Sequence, residues 1–105
     1  LWAHSGFEEP DVIHEMLGTY KKLWADLAFR SEHHSDGKVH SEWRRLFAAF
    51  PDRFMLGTDT YTPERWYFVE DHATTNRAWL SDLEPALARR IAMENALGLL
   101  ERVGF

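Results

Sequence analysis

The chain predicts an α/β fold in which a parallel sheet is covered by helices. Three observations carry that expectation. Short apolar runs begin near residues 1, 23 and 54, a spacing close to the repeat of a strand–helix unit. The runs are near-continuously apolar, as strands buried on both faces are. Between them lie segments of helical periodicity.

The elements follow in order. Leu1–Ala3 is short and apolar and ends in His4-Ser5-Gly6, a strand running into a loop. Pro10 stands where a helix can start, and Val12, Ile13, Met16, Leu17 and Tyr20 recur at helical spacing. Lys21-Lys22 suit the negative pole of that helix. Leu23–Phe29 is a second strand, ending at Arg30, and Ser31–His40 is a polar loop with three of the six histidines. Ser41 is the expected N-cap of a helix with Trp43, Leu46, Phe47 and Phe50 on its apolar face, stopped by Pro51. Phe54–Leu56 is the third strand. Thr62-Pro63-Glu64 has the pattern of a helix start, and that helix runs to Leu80, where Ser81-Asp82 breaks it. Pro85 opens a last helix that offers Leu87, Ile91, Leu97 and Leu100 for burial. A doubly wound sheet and a segment of a barrel both satisfy this order.

At 105 residues the chain is one domain, 1–105, with enough length for a modest core. Hydrophobic residues make up 45%, with five tryptophans, which argues against disorder. A formal net charge of −5 without a basic stripe argues against nucleic acid or an anionic membrane as partner. The absence of cysteine excludes disulfides and thiolate metal sites. No apolar run approaches the roughly 18 residues of a membrane span.

Ligands of parallel α/β architectures gather at the carboxyl ends of the strands. There the chain carries His4, then Asp26 and Arg30, then Asp59. In Phe54–Thr60 (FMLGTDT) the apolar residues bury the strand, Gly57 allows close backbone approach and Asp59 emerges at the mouth. An imidazole and a carboxylate on neighbouring strand ends are the groups that hold a borderline divalent metal or pass a proton to and from water. Plainer roles stand beside these. A carboxylate after a strand commonly forms a turn, a lone histidine is commonly structural, and Asp26 needs a partner that Arg30 can be. His33, His34 and His40 match no structural zinc spacing and suit a solvated loop; His14 and His72 suit helix surfaces or packing.

Together WAHSG (2–6), LWADLAFR (23–30), PDRFMLGTDT (51–60) and ARRIAMENALGLL (88–100) resemble the carboxyl-terminal end of the amidohydrolase superfamily. The resemblance is to its amidohydrolase-related branch of predicted metal-dependent hydrolases, which also holds metal-dependent decarboxylases. It implies a partial TIM (β/α)8 barrel: the sixth, seventh and eighth strands with their helices. It also implies that the chain, which opens without methionine, is the carboxyl-terminal portion of a larger protein. The implied activity is water activated on a divalent metal, zinc or else manganese, to cleave an amide, ester or lactone, or a related decarboxylation of a small molecule. His4 would be a metal ligand or acid–base residue, Asp59 a metal ligand and base, and Arg30 a contact for a substrate carboxylate. The paired His-x-His of the family and its middle-strand ligand are absent, so the chain alone is expected to bind metal weakly and to be inactive. A cut barrel exposes strand edges, which implies a homo-oligomer.

Overall fold

Helices form where the apolar periodicity places them. The structure, a computed structural model, describes residues 1–104. Helix α1 (Pro10–Thr19) begins at its proline and buries Ile13 and Leu17. Helix α2 (Ser41–Ala49) buries Trp43, Leu46 and Phe47 along one face. His40, rather than Ser41, holds its N-cap position, and neither supplies a side-chain cap bond. A 3-10 helix (Pro63–Phe68) runs directly into α3 (Val69–Leu80). Then α4 (Pro85–Arg89), a π-helical turn (Arg90–Glu94) and α5 (Asn95–Arg102) continue one another. Ile91 is buried there, whereas Leu97 and Leu100, expected in the core, are about half exposed. Among the described residues no helix is long and apolar enough to cross a membrane.

The strands depart from expectation, and with them the fold. The chain is 58% helical and is not a set of barrel βα units. Its strands are β1 (Ala25–Asp26), β2 (His34–Ser35), β3 (Lys38–Val39) and β4 (Phe54–Met55). β1 and β4 pair in parallel, Ala25 opposite Phe54 and Asp26 opposite Met55, while β2 and β3 form an antiparallel hairpin. The strand expected at Leu1–Ala3 is reduced to one parallel bridge between Trp2 and Ala25. The physical reason lies just past each pairing. Backbone φ turns positive at His4, Ser5, Gly6 and Phe7 after the first run, at Phe29 after the second and at Asp59 after the third. A residue with positive φ cannot extend a strand, so each run is turned aside within a few residues of its pairing.

The loop expected between residues 31 and 40 also folds. Asp36 and Gly37 have φ of 49° and 78°, as the centre of a tight hairpin turn requires. Asp82, beyond the end of α3, accepts the Val39 amide at 2.9 Å and pairs with Arg44 of α2. The Val39 bond is the main reason that its carboxyl titrates below the ordinary range. This tether draws His33 out of solvent and into the core, against the expectation of a solvated loop. Its ring lies 4.6 Å from Trp79 and 5.8 Å from Trp43, and Phe47 stacks on Trp79 and meets Phe54 edge-on. Gly57 fulfils its expected role: a Cβ there would sit 2.8 Å from the Ala28 Cβ.

Candidate functional site

Residues His4–Phe7 form a left-handed turn at the end of the first apolar run. Left-handed conformation costs an L residue about 1–2 kcal/mol, so surrounding groups must hold it. Asp26 Oδ1 accepts the amides of His4 (2.9 Å) and Ala28 (3.0 Å), and the buried Ser5 hydroxyl donates to the Asp26 carbonyl (2.7 Å). Arg30 closes the turn from the other side, donating to the carbonyls of Glu8 (2.7 Å), His4 (3.4 Å) and Ser5 (3.5 Å). Its remaining donors engage Glu32, and its guanidinium lies over Trp43. Arg30 therefore clamps the turn with a side chain only 1% exposed. Asp26 finds its partners in the turn backbone, not in Arg30.

The clamp fixes the His4 ring. Nδ1 lies 2.7 Å from the Ala28 carbonyl, which can only accept, so the neutral ring carries its proton on Nδ1 and keeps its lone pair on Nε2. One face stacks on Phe7 at 4.8 Å, and Phe29 meets the ring edge-on at 6.4 Å. Asp59 reaches the same cluster from the third strand end. Arg65 Nη1 donates to its Oδ2 at 2.5 Å and to its carbonyl at 3.2 Å. The Arg65 guanidinium packs over Phe29 at 4.6 Å and over Tyr61 at 4.5 Å. His4 and Asp59 are thus joined through Phe29 and Arg65.

A divalent ion needs three protein donors or more. His4 and Asp59 are two, and Arg65 occupies one Asp59 oxygen. Among the described residues no group of three or more His, Cys, Asp or Glu is placed to hold a metal. The side chains present do not fit a zinc or manganese ion by themselves.

Phe29 also forms a wall of a cleft of about 340 Å³ that includes Gly57, just past β4, and Arg30 and Ser31 on one side, with Leu27, His34, His72, Thr75 and Asn76 around it. His34 Nδ1 is buried there without a hydrogen-bond partner. Burial, then the charge of His40, holds the His34 pKa below its ordinary value. The sequence places His34 in a solvated loop and His72 on a helix, at its surface or in packing. Nothing in their spacing joins them; packing of the hairpin region against α3 does. A wider trough of about 880 Å³ runs along α1 and α2, lined by Glu9, Asp11, Glu15 and Glu42 and remote from the strand ends. Its carboxylates face open solvent and bear on none of the groups above. Compared with known protein families, curated proteins and solved structures, the chain matches none.

Proposed function

We propose that the chain supplies part of the active site of a hydrolase of the amidohydrolase kind, one that cleaves an amide, ester or lactone of a small molecule. By itself it turns over no substrate. The observation that carries this reading is the His4 imidazole, whose Nδ1–H donates to the Ala28 carbonyl so that Nε2 stays available beside the cluster holding Asp59. Nε2 receives a proton from an attacking water and returns it to the leaving group, the work of a general acid–base residue. Asp59, oriented by Arg65, is the second proton-handling group. The left-handed backbone at both residues supports the assignment, since strain of this kind gathers at functional positions. Zinc or manganese belongs to this reading only with donors from outside the chain. Where the complementary groups are present, Asp59→Asn is expected to lower hydrolysis about a hundredfold, the scale of one general acid–base group. Asparagine tolerates the φ of 53°, so the fold survives the change. Hydrolysis left untouched by Asp59→Asn ends the reading.

A second reading, of a non-catalytic chain that self-associates, is favoured by one specific observation. Trp66, Tyr67 and Phe68 of the 3-10 helix are 63%, 85% and 55% exposed, with Tyr61 at 74% beside them. Large exposed aromatic side chains gathered in one segment commonly mark an interaction face.

A further inference from the structure

The cleft behind Phe29 includes Arg30, whose guanidinium is already committed to Glu32 and to the Glu8 carbonyl, so its remaining polar groups decide what it can hold. The chain has 17 Asp and Glu residues, yet none lines it. Its polar groups are biased toward donation. The Trp79 indole can only donate and does so to Asn76 Oδ1 at 2.9 Å, which turns the Asn76 NH2 into a free donor. His34 Nδ1 is sealed from solvent without a partner, and a buried N–H with no acceptor costs more than an idle lone pair. The neutral His34 ring therefore carries its proton on Nε2, the nitrogen that still meets solvent. His72 and the Thr75 hydroxyl add two further polar groups, while Leu27 and Phe29 supply apolar walls. The volume, about 340 Å³, lies at the small end of ligand sites.

We infer that this cleft binds a small monocarboxylate with an apolar or aromatic body, the carboxylate accepting from His34 and Asn76 and the body lying against Leu27 and Phe29. The inference does not rest on the hydrolytic reading, because neither His4 nor Asp59 lines the cleft. Charge-assisted donation makes an anionic acceptor bind better here than a neutral amide of the same shape.

Phenylacetate and its isostere phenylacetamide separate the two cases. Titrating the isotopically labelled chain with sodium phenylacetate is expected to give saturable amide shifts at Leu27, Ser31, Thr75 and Asn76. Phenylacetamide is expected to bind about tenfold more weakly, the scale of one charge-assisted hydrogen bond. Asn76→Asp keeps the oxygen that accepts from Trp79 but replaces the donor with an anion. It is expected to leave the thermal midpoint near its original value and to weaken phenylacetate at least tenfold. Should that variant unfold, Thr75→Glu, on an exposed position of α3, introduces the same charge and is expected to have the same effect. Equal affinity for the amide, shifts confined to another surface such as Lys21-Lys22, or unweakened binding to a folded Asn76→Asp or Thr75→Glu chain would each overturn the inference.

Discussion

His33 is 1% exposed, and neither ring nitrogen has a hydrogen-bond partner. Burial first, then the charge of His34, pulls its pKa down from 6.5 to about 4. The unfolded chain therefore holds the His33 proton more tightly than the folded one. This contribution to stability is complete above about pH 6.5 and declines as pH falls toward 4, a total loss of about 3 kcal/mol. Urea midpoints measured across that window are expected to fall steadily with acidity. His33→Leu removes the titrating group and both unpaired nitrogens, so it is expected to flatten the slope. The same slope in the variant would assign it to other groups. His34 shifts in the same direction for the same leading reason, and it remains in the variant as the smaller part. None of this was visible in the residues Ser31–His40, whose polarity describes a loop; burial came from the tether to Asp82.

At the scale of elements, Asn95 joins the carboxyl-terminal helix to the sheet. Its Nδ2 donates to the carbonyls of Pro51 (2.9 Å) and Phe54 (2.8 Å), the latter in β4. With the side chain nearly buried, Asn95→Ala leaves two acceptors without a partner and is expected to cost about 2–3 kcal/mol. Chemical denaturation checks the figure. A loss below about 0.5 kcal/mol, the range of neutral surface changes, would mean that Ile91 packing holds the helix unaided. The helices themselves were readable in advance, because Pro10, Pro63 and Pro85 open helical segments and the apolar faces of α1 and α2 repeat every three to four residues. The strands were readable only in position. Ala25–Asp26 and Phe54–Met55 lie inside the expected runs, but the lengths were overestimated.

The whole molecule has a radius of gyration of 13.3 Å, close to the roughly 13 Å of a folded chain of 100 residues. Four of its large exposed aromatic side chains, Tyr61, Trp66, Tyr67 and Phe68, fall within eight positions of one another. Sedimentation at micromolar concentration is expected to show dimers or larger assemblies, and the pair Trp66→Ser, Tyr67→Ser is expected to shift them toward monomer. A monomer in the unaltered chain rejects self-association through this face.

From the residues alone one obtains the helices, the positions of the three apolar segments, the close approach at Gly57 and the placing of His4 and Asp59 at segment ends. A helix is written in bonds between residues four apart, so its pattern survives in any short window. Tertiary packing alone decided that the strands stop after two residues, that Arg30 turns inward, that His33 is buried and that His34 and His72 share a cleft. Those outcomes depend on partners such as Asp26 for His4 and Arg30 for Glu8, each 22 positions away, and on Asp82 for Val39, 43 away. No local pattern records contacts of that reach.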